Sequence, residues 1–260
     1  MVQQLIPQKT PQLTPQTTAE IIYPDSDGQP MADNTKQFRW IVTIKENLEI
    51  LFAAFADVFI AGDLLWYPVE GDNKIRKAPD ILAVFGRPKG DRGSYKQWQE
   101  DNIPPQVVFE ILSPGNTSTE MLRKLFFYQN YGVEEYYIYD PDTLELTGSQ
   151  RVGDRLEEIA EINGWVSPRL GIRFQLTSET LEIYHPDDRK FLTSVELDQL
   201  REQESQRADR EQQEKELAQQ EKELAQQQLE AERTLRQQEQ QRYQALIELL
   251  REKGIDPQQL

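Results

Sequence analysis

Residues 106–140 read QVVFEILSPGNTSTEMLRKLFFYQNYGVEEYYIYD. The first seven, QVVFEIL, are a short and almost unbroken apolar run, the pattern of a central strand buried on both faces. SPGN breaks that run, and TSTE at 117–120 has the Thr-x-x-Glu spacing of a capping box that opens a helix. The helix is expected to continue to about Tyr131 and to stop at Gly132, because glycine without a Cβ suits the turn that ends helices. EYYIYD at 135–140, closed by Asp140-Pro141, reads as the next strand. Strand, helix and strand in direct succession place this part of the chain in a layered α/β domain.

Outward from this stretch, DILAVF at 80–85 is a second buried strand, and GRPKGDRGSYKQWQEDNIPP at 86–105 is a surface loop by its Gly, Pro and charge content. Upstream, FRWIVTIKENLEILFAAF at 38–55 sets Ile41, Ile44, Leu48, Leu51 and Phe55 at helical spacing. VFIAG and LLWYP flank Gly62-Asp63 and read as a hairpin. Downstream, LEEIAEI, RLGIRF and LEIYHP supply further short β segments. The expected fold class is α/β: a mixed central sheet flanked by helices, followed by a long C-terminal helix or coiled coil.

Composition changes twice along the chain. Residues 1–18, mostly Gln, Pro and Thr, read as a disordered lead-in. Residues 19–192 hold all four tryptophans and nearly every aromatic, enough for one ordinary core. Residues 193–253 turn to Gln, Glu, Arg, Leu and Ala without Gly or Pro and read as a helical or coiled-coil tail, with 254–260 as a disordered end. Within the tail EKELAQQ occurs twice, at 214–220 and 221–227. A seam drawn through Leu217 passes Glu221, Leu224, Gln228, Ala231, Leu235, Gln238, Arg242, Ala245 and Leu249, so only six of its ten positions are apolar. A leaky coiled coil and a solitary charged helix held by internal ion pairs both fit this pattern.

The chain carries 45 acidic against 29 basic residues, a net charge of -16. Such a chain repels phosphate backbones overall, which excludes tight binding through a broad basic face and makes any nucleic-acid chemistry local. Cysteine is absent and His185 is the one histidine. Thiolate zinc sites, iron–sulfur clusters, cysteine nucleophiles and multi-histidine metal sites are thereby excluded, leaving carboxylates, lysine and tyrosine for catalysis. No stretch approaches the roughly 18 apolar residues of a membrane span. The N-terminus lacks the layout of a signal peptide, so a soluble, cytoplasmic protein with no membrane partner is expected.

Two acids break the local rules. Glu110 interrupts the apolar run at 107–112, and a carboxylate buried there needs a cation. Asp80 opens the strand at 80–85 directly after Pro79, where capping a turn is the plain alternative. Lys124 lies on the helix after Glu110, four residues beyond Glu120, and alone it would read as an ordinary surface pair. The combination is what counts: an aspartate, a glutamate on a neighbouring strand, and a lysine on the helix beside them.

Ala78-Pro79-Asp80, then thirty residues on Glu110 in Phe109-Glu110-Ile111-Leu112-Ser113-Pro114, then Lys124, Tyr128 and Gly132-Val133-Glu134-Glu135-Tyr136-Tyr137, resemble the bacterial putative restriction endonuclease family of the PD-(D/E)XK nuclease superfamily. The resemblance spans residues 40–184. It implies a restriction-endonuclease-like mixed sheet flanked by helices, DNA as substrate, and Mg2+ as cofactor, with Mn2+ as a substitute. The superfamily lysine stands two residues after the second acid, where this chain has Leu112; Lys124 on the next helix is the residue carried over.

Magnesium takes oxygen ligands, commonly one or two carboxylates with waters and phosphate oxygens. Asp80 and Glu110 would supply the carboxylates and the main-chain carbonyl of Ile111 one more oxygen, while Lys124 orients or deprotonates the attacking water. Glu46 or Glu49 on the first helix would complete the surroundings. Lys74, Arg76, Lys77, Arg87, Lys89, Arg92 and Lys96 cluster in sequence around Asp80 as a local basic track for DNA. Ser113 and Thr117 read as turn and cap, Tyr128 and Tyr131 as core or rim aromatics, and His185 as a turn residue. The leading expectation is a Mg2+-dependent endonuclease, a homodimer through its C-terminal helix. The competing one is a nuclease-fold interaction module that no longer cuts.

Overall fold

The computed structural model describes residues 21–26, 28 and 31–254. The expected lead-in at 1–18 and, apart from Gly254, the expected end at 254–260 lie outside the described residues. Helix α1 (Thr35–Leu51) starts three residues before the expected 38, because the Asn34 side chain accepts from Lys36 N and Gln37 N and caps it. It ends before Phe55, which is more than half exposed. Strands β1 (Val58–Gly62), β2 (Trp66–Tyr67), β3 (Ile81–Phe85), β4 (Tyr95–Lys96) and β5 (Val107–Ile111) follow. Helix α2 (Ser118–Asn130) opens on Thr117, whose hydroxyl oxygen accepts from Glu120 N. It closes at Tyr131, and Gly132 turns the chain with φ +96°. Strands β6 (Glu135–Asp140), β7 (Glu145–Val152), β8 (Arg155–Glu158), β9 (Arg173–Leu176) and β10 (Leu181–Tyr184) complete the first unit.

Six strands form one mixed sheet in the order β1-β3-β5-β6-β7-β8. Within it β5 and β6 run parallel, because α2 carries the chain back across the sheet between them, and the other neighbours are antiparallel. The alternation along β5 assigns its two faces. Val107, Phe109 and Ile111 pack with Ile41, Ile44 and Leu48 of α1, and Val108 packs on the opposite face with Trp66, Tyr128 and Tyr136. Each fully buried aliphatic side chain contributes about 1.5–3 kcal/mol. Glu110, two residues from Val108, therefore lies on the α2 face.

The expected hairpin of VFIAG with LLWYP does not form. The edge of β1 is taken by β3, with Gly62 opposite Ile81. Asp63 adopts a left-handed φ of 49° and its N–H donates to Asp80 O, turning the chain out of the sheet. Trp66 and Tyr67 then pair in parallel with β4 as a separate two-stranded sheet. The run ILAVF outcompetes WY as a partner because it is longer and apolar throughout. The loop expected at 86–105 accordingly contains β4, whose Tyr95 is fully buried and donates to Ile103 O. Strand β7, eight residues long, was not expected because few of its residues are apolar. It pairs beside β6 with Gly148 opposite Tyr137, where a Cβ would sit 3.1 Å from the Tyr137 ring and 2.7 Å from Ile162. Strands β9 and β10 form a further two-stranded sheet.

The described residues fall into two compact units, one through Ser194 and the other from Val195. The second is helix α3 (Ser194–Glu252), 59 residues without one buried side chain. Its surface carries i,i+4 pairs such as Arg207–Glu211 and Arg236–Glu232, each worth about 0.3–0.5 kcal/mol. No described helix is long and apolar enough to cross a membrane.

Candidate active site

Register brings the two acids together. Ile81 lies opposite Phe109 and Leu82 opposite Val108, so one further step along the antiparallel pair sets Asp80 opposite Glu110. Asp80 Oδ2 accepts from the N–H of Ile111 at 2.6 Å. Glu110 is 2% exposed and both its oxygens are engaged, Oε2 by Lys124 Nζ at 2.8 Å and Oε1 by the hydroxyl of Tyr128. Glu120, Lys124 and Tyr128 follow at four-residue intervals along one face of α2, the face that the Thr117 cap turns toward β5. Glu120 stands 3.9 Å from Lys124 and is the weaker of its two partners.

The proton inventory follows from burial and charge. Burial first, and then the negative charge of Glu110, push the Asp80 carboxyl from its usual 3.8 up to about 8, against the pull of the Ile111 N–H and of Lys124. For Lys124 burial works downward, but the charge and hydrogen bond of Glu110 outweigh it, and the ammonium is held above the usual lysine range. Burial, reinforced by Glu110, raises Tyr128 well above the usual phenol range, so its hydroxyl keeps the proton that it donates.

Asp80, Glu110, Glu120 and Lys124 meet at a cavity of about 410 Å³. One wall carries Asp80, Glu110 and Lys124, and another carries Lys74, Arg76 and Lys77 from the segment between β2 and β3. Arg76 donates to Asn73 O at 3.1 Å. The ammonium groups of Lys74 and Lys77 bond to no partner among the described residues.

The other basic residues of the expected track are spent elsewhere. Arg87 and Arg92 both bind Glu100, at 2.8 and 2.7 Å. Lys89 donates to Phe52 O at the end of α1, and the Lys96 ammonium sits 5.8 Å from the Tyr23 ring centre. The seven do not make one track; three of them face the cavity.

Neither Glu46 nor Glu49 lines the cavity, and Glu49 pairs with Lys45. Helix α1 contributes from its other end instead. Buried Gln37 donates to the Ile111 carbonyl at 2.8 Å and accepts from Asp33 N. This bond uses one of the two lone pairs of the carbonyl oxygen proposed above as a metal ligand. Gln37 was legible: it falls in register with Ile41, Ile44 and Leu48 on the buried stripe of α1. Tyr128, expected as a core or rim aromatic, is buried and donates its hydroxyl to Glu110, as its place four residues beyond Lys124 on the same face of α2 allows.

Ser113 and Thr117 serve as turn and cap: Ser113 N donates to Asn116 Oδ1 and Ser113 Oγ to Asp33. Tyr131 packs on Phe127 and Trp66. His185 is buried away from the cavity, and its carbonyl accepts from Asp188 N in a turn. A second buried carboxylate, Glu135, accepts from Tyr137 OH, Ser167 Oγ and Arg169 N, ties β6 to the segment at 167–169, and does not line the cavity.

Among the described residues no three His, Cys, Asp or Glu side chains gather as a metal cage. Asp80 and Glu110, two of the five acidic residues that line the cavity, still match an oxygen-seeking cation that keeps several waters. The raised Asp80 carboxyl is the electrostatic cost that such a cation would relieve.

Residues 14–208, three quarters of the chain, match the Uma2 family, described as "Putative restriction endonuclease". No curated protein matches the chain. A solved structure, a putative nuclease belonging to DUF820 from Anabaena variabilis ATCC 29413, is similar at 17% identity and a TM-score of 0.40, covering 54% of this chain and 74% of that one. On the length of the first of these matches, the chain belongs to the Uma2 putative restriction endonuclease family.

Proposed function

We propose that the chain is a divalent-metal-dependent endonuclease that hydrolyses phosphodiester bonds of DNA, the substrate that the family description implies. The observation that carries this reading is the placement of Asp80 opposite Glu110, with Lys124 bonded to the latter, at a cavity also lined by Lys74 and Lys77, whose ammonium groups have no partner among the described residues. Asp80 and Glu110 would hold Mg2+, or Mn2+ in its place, with the free lone pair of the Ile111 carbonyl as a further oxygen donor. When bound, the ion supplies Lewis acidity to a phosphoryl oxygen and lowers the pKa of a water.

Lys124, held as an ammonium, acts as a donor rather than a base: it orients the attacking water and stabilises the negative charge that grows on the phosphoryl group. Asp80 would have to give up its proton to hold a cation, so metal affinity is expected to rise with pH toward 8. Lys74, Arg76 and Lys77 hold flanking phosphates, which makes DNA binding local and salt-sensitive in a chain of net charge -16.

The test is supercoiled plasmid incubated with the purified chain and Mg2+ or Mn2+, with an EDTA control and the variants Asp80→Asn and Glu110→Ala. Nicked or linear product is expected from the wild type with metal and from no other lane. Equal cleavage by either variant, or none by the wild type with both metals, rejects the reading.

A further inference from the structure

We infer that Tyr128 is a positioning residue, whose hydroxyl holds the Glu110 carboxylate in the orientation that presents one oxygen to a metal ion in the cavity. The inference rests on the reading of Asp80 and Glu110 as metal ligands, and it adds to that reading a residue that never touches the metal.

The geometry divides the two partners of Glu110 by side. Lys124 lines the cavity and engages Oε2, whereas Tyr128 is fully buried, does not line the cavity, and engages Oε1 from behind. A cation entering the cavity competes with the ammonium of Lys124, since both are positive and both seek Oε2. The phenol is neutral, and the cation has no need to displace it. The glutamate side chain has three torsions, and a flexible lysine alone would let the carboxylate rotate with it.

Tyr128 cannot follow such a rotation. Its ring lies parallel to Trp66 at 6.3 Å and edge-on to Tyr136 at 5.0 Å, and Trp66, itself fully buried, is anchored by its Nε1 donating to Gln97 at 3.0 Å. A buried hydroxyl left without an acceptor is destabilising, so the pairing with Glu110 is held from both ends. Partners of this kind behind a ligating carboxylate alter metal affinity about 10–100-fold when removed. Tyr136 supplies an internal control. Its hydroxyl is buried in the same aromatic layer and has no hydrogen-bond partner among the described residues.

The experiment is calorimetric titration of Mn2+ into the full-length chain and into Tyr128→Phe, Tyr136→Phe and Glu110→Gln, with a melting curve for each. Tyr128→Phe removes one oxygen and keeps the stacked ring. Its Mn2+ dissociation constant is expected to rise about 10-fold or more, with cleavage recovering when Mn2+ is raised in proportion, while Tyr136→Phe binds as the wild type does. Unchanged affinity in Tyr128→Phe beside lost binding in Glu110→Gln overturns the inference and leaves the metal site standing. An equal loss in Tyr136→Phe, or a loss in Tyr128→Phe that follows only from a collapsed melting curve, overturns it as a merely structural effect. Undiminished binding in Glu110→Gln overturns the metal reading and this inference together.

Discussion

Replacing Asp80 by asparagine isolates the electrostatic cost of assembling the site. The Asp80 carboxyl is pushed up to about 8, by burial first and by Glu110 second. A carboxyl whose folded pKa lies above its unfolded value binds its proton more tightly when folded. Its contribution to stability is therefore full below about pH 4 and is lost as the pH climbs toward 8. A wholly shielded carboxyl of this kind would cost about 5 kcal/mol at pH 8. Asp80 is half-buried, and solvent screening brings the figure to roughly 2 kcal/mol. Asparagine keeps an oxygen for the Ile111 N–H and drops the charge. In EDTA, Asp80→Asn should then melt roughly 4–8 °C above the wild type at pH 8, given about 2–4 °C per kcal/mol for a domain of this size. The gain should vanish near pH 4. The same variant should lose the rise in melting temperature that Mg2+ gives the wild type. Circular dichroism melts at the two pH values decide the matter. A variant no more stable than the wild type at pH 8, or a gain equal at both values, would refute the reasoning.

Two further outcomes follow from the site and from α3. Lys124→Met leaves the buried Glu110 charge with Tyr128 alone, and breaking such a pair costs about 3–5 kcal/mol; the metal-free melting temperature should fall sharply, with Mg2+ restoring more of it than it adds to the wild type, and an unchanged melt in EDTA would count against the pair. Ending the chain after Thr193 should leave a folded first unit that sediments as a monomer, whereas the full chain is expected to pair weakly through α3, since pairing would cover the exposed Leu217, Leu224, Leu235 and Leu249; a monomeric full chain at tens of micromolar removes the pairing and leaves the metal site untouched.

Much of the frame was written locally. The apolar run around Glu110, the Thr117 cap, the stop at Gly132 and the run before Asp140 each act within a few residues of themselves, and the structure has β5, α2 and β6 where those signals lie. The same locality made Glu110 conspicuous, since a carboxylate inside an apolar strand is an anomaly readable from its neighbours alone. Lys124 was legible because the phase of a capped helix assigns the face its residues share.

Other features depend on competition between segments far apart in the chain. VFIAG has a nearby partner in sequence, but the strand after Asp80 offers it a longer apolar edge, and only the assembled sheet decides between them. The cluster of seven basic residues divides because Glu100 folds back onto Arg87 and Arg92, leaving Lys74, Arg76 and Lys77 to the cavity. Helical phase puts Gln37 and Tyr128 on the inward faces of their helices, but it does not say which group each one meets. A buried polar group takes its meaning from the partner that satisfies it, and that partner is chosen by packing in three dimensions. The sequence by itself determined β5, α2, β6 and the out-of-place charges, because each is signalled within a few residues, whereas the short strands β4 and β7, the register between strands and the pairing of buried polar atoms were decided only by the tertiary structure.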